Sequence, residues 1–221
     1  MTFDSLPLFP LPLVLFPGTV LPLHIFEPRY RQLLIDCLEG DRRFGIARLG
    51  ESVAEVELPS GTVGCVAEIM STEALADGRS NILVRGAERF ALVSLVSSPH
   101  PYHVCRAELV EDDFEIGAEL DAIAERVRDV FRRVARAART LADDPDPVPE
   151  LPEDAASLSF AVASMIDIGL DARQELLASR SPLERLRELD QVLSVALGTI
   201  VDRAQVHTLA KTNGRNEHVQ P

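Results

Sequence analysis

The chain has 221 residues, 46% of them hydrophobic, with 22 basic against 35 acidic side chains and a formal net charge of -13. That length and apolar content support one large or two small cored domains and exclude wholesale disorder as a starting point. The charge weighs against a surface for nucleic-acid backbones, whose affinity rests on many cation-phosphate pairs, and equally against binding to anionic membranes.

The first charge-free run, Leu6 to Phe26, is long enough to cross a bilayer, but Pro7, Pro10, Pro12, Pro17 and Pro22 each remove a backbone donor that a helix in hydrocarbon would need. The run must therefore be buried by the protein itself. Its pattern predicts short apolar strands punctuated by proline, a turn at Pro17-Gly18 and a further strand entering Glu27-Pro28-Arg29-Tyr30. The N-terminus offers no basic region and no unbroken apolar stretch, so a signal peptide is not expected and a cytoplasmic location is.

Pro28 to about Leu38 predicts a helix, with proline in the first turn and Tyr30, Leu33, Leu34, Cys37 and Leu38 on one face. Strands are expected over 44–49 and 62–71, followed by a turn at Ala76-Asp77-Gly78-Arg79 with Asp-Gly chemistry. Further strands are expected over 81–85, 90–97 and 102–110, with a tight turn around Gly86. About six short strands with one inserted helix favour a closed or nearly closed barrel over an open sheet.

The hydrophobic period changes near Gly117. Leu120, Ile123, Val127, Phe131, Val134, Ala138 and Leu141 recur at helical spacing, with arginines between them and acidic residues placed for pairs within the helix. The proline-rich acidic stretch 142–152 predicts an exposed loop. Helices are then expected over 153–168, from Asp171, whose carboxylate would cap, and from Ser181-Pro182-Leu183-Glu184, a capping box with proline at the first helical position. Residues 209–221 lose the apolar stripe and are expected to be disordered.

A P-loop needs GxxxxGK[ST], and a Ser-Lys hydrolase needs a desolvated lysine beside its nucleophile. Lys211, the one lysine, lies in the expected tail with no glycine-rich loop before it. No HExxH and no GxSxG occurs. Cys37, Cys65 and Cys105 are dispersed without a CxxC pair, so buried reduced thiols are expected rather than a zinc site or disulfide framework. His100 and His103 flank Pro101-Tyr102, where two ligands alone make a poor metal site. No catalytic, cofactor-binding or metal-binding residue is expected.

The blocks LPLFPLPLVLFPGTVLPLHIFEPRYRQLL, FGIARLG, GTVGCVAEI, DGRSNILVRGAERFAL and PYHVCRAELVED resemble, in order and spacing, the N-terminal substrate-binding domain of Lon protease. The later LDARQELLASRSPLERLRELDQVL is similar to the helical part of that family, and the resemblance runs from about Leu6 to Ala196. It implies an α+β fold: a β-rich PUA-like barrel over 1–114, then a helical bundle over 115–208. It further implies a non-enzymatic, stand-alone bacterial member lacking the ATPase and peptidase modules, which recognises exposed apolar or unfolded segments of client proteins. Two alternatives remain open: an adaptor or modulator of a separate Lon protease, and RNA binding through the barrel, which the acidic charge disfavours.

The partner-binding or junction residues expected from this reading are Phe16, His24, Phe26, Glu27, Arg29 and Tyr30. For Glu27, Arg29 and Tyr30 a structural role competes: Pro28 starts the helix, Tyr30 packs on the barrel, and Glu27 pairs with Arg29. A binding surface is expected in an apolar groove or along an open strand edge.

Overall fold

A computed structural model describes residues 2–50 and 58–215 of the chain. Six strands, β1 (Thr2–Leu11), β2 (Val20–Ile25), β3 (Arg43–Arg48), β4 (Val63–Ala74), β5 (Ser80–Val96) and β6 (His103–Val110), share one mixed sheet, with helix α1 (Pro28–Glu39) inserted after β2. Four helices follow: α2 (Ala118–Ala142), α3 (Ala155–Met165), α4 (Gly169–Ala178) and α5 (Pro182–Arg215). The fold class is α+β, as expected.

The sheet order is β2-β5-β4-β3-β1-β6, and β5 also pairs with β6, so five strands close into a ring with β2 attached to β5. Only β1 and β3 run parallel; the other pairings are antiparallel. Closure with a covering helix buries both faces of the central strands, which explains why β3 and the first half of β4 read as nearly continuous apolar runs rather than alternating ones. One set of side chains, including Phe9, Phe44, Ile46 and Val84, packs with Tyr30, Leu33, Leu34 and Cys37 of α1. The other set, including Leu8, Val66, Leu92 and Cys105, gathers around Phe90.

The opening turn forms as its residues dictate. Phe16 accepts from the Thr19 N–H at 3.2 Å across Pro17 and Gly18, with Gly18 at φ +77°, the arrangement that a type II turn asks of proline followed by glycine.

The chain divides into two compact units, one of Met1–Asp113 with Ala163–Arg180, the other of Phe114–Val162 with Ser181–Pro221. The division near residue 114 lies where the period changes, but Ala163–Arg180, expected inside one continuous helical subdomain over 115–208, belongs with the sheet. Within the first unit, Arg48 pairs with Asp171 at 2.6 Å and Gln174 donates to the carbonyl of Val63 at 3.0 Å. Within the second, α2 and α5 pack together, with Leu186, Leu189 and Leu193 buried and Arg126 bonded to Asp190 at 2.8 Å.

Four local expectations are corrected. The strands expected over 81–85 and 90–97 are one continuous strand, β5, which ends at Val96 and makes no tight turn at Gly86. β5 exchanges partners there, pairing with β2 through residues 80–85 and with β6 through 89–96. Asp171 does not cap α4: Ile168 holds that position, and the carboxylate goes to Arg48 instead. The third helix is shorter than expected and ends at Met165. The last helix continues to Arg215, so residues 209–215 are helical rather than disordered, while 216–221 lie outside the described residues.

Candidate functional site

β2 pairs with β5 on one side, and among the described residues nothing pairs with its other edge. Pro22 is tolerated there because an edge strand need not donate from every residue. Strand alternation sends Leu21, Leu23 and Ile25 inward, where Ile25 is buried and the two leucines pack on the core. Val20, Pro22, His24 and Phe26 therefore line the opposite face, and all four are exposed. Val20 is 51% and Phe26 58% exposed, high values for large apolar side chains on an ordered strand and its continuation.

The polar surroundings of this stripe are fixed. His24 Nδ1 lies 2.8 Å from Asn81 Oδ1 on the neighbouring strand, and its ring stacks on Phe26 with centroids 6.0 Å apart. Arg79, at the tip of the β4–β5 hairpin, binds Asp77 at 2.6 Å and approaches His24 Nε2 at 3.5 Å. Gly78 turns that hairpin at φ +81°, with Arg31 of α1 laid over it so closely that a Cβ at Gly78 would lie 2.2 Å from Arg31 Nη2. Arg85 and Glu68 pair at 2.8 Å farther along the same strands.

The six residues expected from sequence thus separate. His24 and Phe26 stand together on the exposed face. Glu27 and Arg29 form the anticipated pair at 3.0 Å, and the Arg29 guanidinium lies 4.5 Å above the Tyr30 ring. Phe16 and Tyr30 are buried, at 1% and 3% exposure, and offer no surface to a partner. Tyr30 instead packs on Phe9 with ring centroids 3.9 Å apart. Val20, which stands with His24 and Phe26 on the exposed face, follows from extending the period of two backwards from His24, whereas the placement of Arg31 over Gly78 depends on a contact distant in sequence.

A second concavity, of about 490 Å³, is lined by β1, α1, Arg43, His100 and Tyr102. Tyr102 donates to Asp36 Oδ2 at 2.7 Å, Gln32 donates to Asp36 Oδ1 at 2.7 Å, and His100 Nδ1 lies 3.2 Å from Oδ2. The Tyr102 hydrogen bond holds the Asp36 carboxyl below its ordinary range, while burial pushes the Tyr102 hydroxyl up. Asp36 is thus a satisfied acceptor. Among the described residues no cluster of three or more His, Cys, Asp and Glu side chains is placed to hold a metal ion, and no helix is long and apolar enough to cross a membrane.

Residues 5–194 match the family described as the ATP-dependent protease La (LON) substrate-binding domain, and the chain belongs to that family. Lon protease 2 of Herpetosiphon aurantiacus is 30% identical over 195 residues, covering 86% of this chain and 24% of that protein. The Lon protease of Geobacter metallireducens is 27% identical over 212 residues, covering 94% of this chain and 26% of its own. The chain therefore spans about a quarter of the length of these curated relatives. The Lon N-terminal domain protein from Xanthomonas campestris is similar in structure, with a TM-score of 0.61, 26% identity and coverage of 85% of this chain and 97% of that one. The N-terminal domain of Mycobacterium avium complex Lon protease shares the fold at a TM-score of 0.65 and 19% identity, covering 86% and 98%.

Proposed function

We propose that this chain is a non-enzymatic, cytoplasmic protein-binding module that engages exposed apolar or unfolded segments of client proteins. The observation that carries the reading is the stripe Val20, Pro22, His24 and Phe26 on a strand whose outer edge is open among the described residues. Membership of a substrate-binding domain family supports it.

An extended client segment would add beside β2, its backbone pairing with the open edge and its apolar side chains covering Val20 and Phe26. Pro22 leaves that ladder one donor short, which favours weak, reversible engagement over permanent strand addition. Burying two large apolar side chains contributes roughly 3 kcal/mol before the cost of ordering the client. The net charge of -13 keeps a protein with an exposed apolar stripe soluble.

The test is fluorescence anisotropy of a labelled, permanently unfolded polypeptide titrated with the chain. Saturable binding, weakened about a hundredfold when Val20→Ser and Phe26→Ser are combined, is expected for loss of that apolar contact. Absence of association would remove the reading.

A further inference from the structure

Strand β1 pairs with β3 only from Leu8 onward, while its first half pairs with β6 alone. The cavity of about 490 Å³ opens where the two strands part, lined by residues 3–7 of β1, by Arg43 at the start of β3 and by the C-terminal end of α1. All of these belong to the first unit, and none to β2. Its buried lining includes Leu6, Val66 and Tyr102.

The charges at this cavity do not balance. Asp4, Asp36 and Asp41 line it, and the C-terminal end of α1 adds partial negative charge. Arg43, the one guanidinium in the lining, is already answered by Glu88 of β5. Asp36 is satisfied by Tyr102, Gln32 and His100. The other two carboxylates keep acceptors to spare. Among the described residues, Asp41 takes only the Arg43 N–H, at 3.1 Å on Oδ1, and Asp4 comes no closer than 3.9 Å to Arg106. His100, 44% exposed, stacks on Tyr102 with ring centroids 4.9 Å apart, so a flat ring belongs to the same cavity.

We propose that this cavity is a second binding site, separate from the β2 face, which takes the guanidinium of an arginine in a basic segment of a partner protein. The head group meets the carboxylates of Asp41 and Asp4, and its aliphatic stem covers the apolar lining. Arginine fits better than lysine, because its planar head pairs with carboxylate oxygens two at a time and lies flat on the ring of His100. The net charge of -13 attracts any basic segment, but the Debye length of about 8 Å at physiological salt leaves the choice of seat to the charges inside the cavity. The site requires nothing of the β2 face.

The experiment titrates the full chain, followed by amide-resolved NMR, with two twelve-residue Gly-Ser peptides blocked at both ends and carrying one central arginine or its uncharged isostere citrulline. The arginine peptide is expected to give saturable shifts at residues 36–43 and 100–102, and the citrulline peptide to bind about tenfold more weakly. Asp41→Asn removes the charge yet keeps Oδ1 to accept the Arg43 N–H, so it should lose most of that preference with the fold intact. With Asp4→Asn added, none should remain. Asp146→Asn, an equal change of net charge in the exposed proline-rich loop, should leave the preference as it was. Equal binding of the two peptides, no binding of the arginine peptide, or shifts centred elsewhere overturns the site. So does a preference that survives the double variant or falls as far in Asp146→Asn. Each of those results leaves apolar client binding at β2 standing, since the peptides carry no apolar side chain to engage it.

Discussion

Arg89 Nη1 donates to the carbonyl oxygen of Leu177 at 2.8 Å, joining strand β5 to the C-terminal turn of α4 within the first unit. The same nitrogen reaches the Ser179 carbonyl at 2.5 Å, and Nη2 binds Asp112 at 2.6 Å. The side chain is almost wholly buried, so these bonds replace the water it gave up on folding. Arg89→Met should therefore cost about 3 kcal/mol, because it leaves a carboxylate and the two carbonyls without their donor. Urea denaturation would read this as a lower midpoint, with proteolysis appearing first around residues 177–180.

Gly86 and Gly198 should respond to alanine with opposite signs. At Gly86 a Cβ would lie 2.1 Å from the Phe16 carbonyl oxygen, where Gly86 also exchanges hydrogen bonds with Gly18 and Thr19 at 2.8 Å. Backbone stands on both sides of the clash, so Gly86→Ala should destabilise by about 3 kcal/mol. Gly198 lies within α5 with nothing inside 4 Å of its would-be Cβ, and Gly198→Ala should stabilise by roughly 0.5–1 kcal/mol. Thermal melts of the two variants would separate these outcomes.

Asp36 gives stability a defined acid dependence. Chiefly through the Tyr102 hydrogen bond, its folded-state ionisation lies below the ordinary value of 3.8. The carboxylate's contribution is therefore complete above the unfolded value and is lost as pH falls through the folded one. Tyr102→Phe should reduce stability at pH 7 by about 1 kcal/mol, and by less in acid once the pH has fallen through the folded-state value and the carboxyl is protonated in both proteins. Denaturation midpoints measured from pH 7 to 2 would show the two curves converging in acid; a constant gap would contradict the coupling.

All three thiols should be silent in the native protein. Burial pushes Cys37, Cys65 and Cys105 up to about 12, so almost no thiolate is present at pH 8. A thiol-reactive chromogen should label none of them in buffer and all three in denaturant, as counted by mass spectrometry.

Features written in adjacent residues were legible in the sequence. Pro17-Gly18 specified its turn, Pro28 began α1, and Ser181 accepts from the Glu184 N–H at 3.1 Å as a capping box requires. Features set by distant partners were not. Asp171 looked like a cap because its nearest neighbours allowed it, yet Arg48 claims the carboxylate. Gly86 looked like a turn because glycine among charged residues commonly marks one; its smallness instead lets the Phe16–Thr19 turn approach β5 where that strand changes partners. The exposed stripe lay between these cases: the opening motif was visible, but strand alternation placed Phe26 outside while Phe16 and Tyr30 went into the core.

The central claim is that the β2 face receives client segments, and amide-resolved NMR of the full chain titrated with a permanently unfolded polypeptide tests it most directly. The account predicts saturable shifts concentrated at residues 20–26 and 79–85, with the amides around Phe90 unmoved. Shifts confined to α2 and α5, or none at concentrations where anisotropy reports binding, would contradict it.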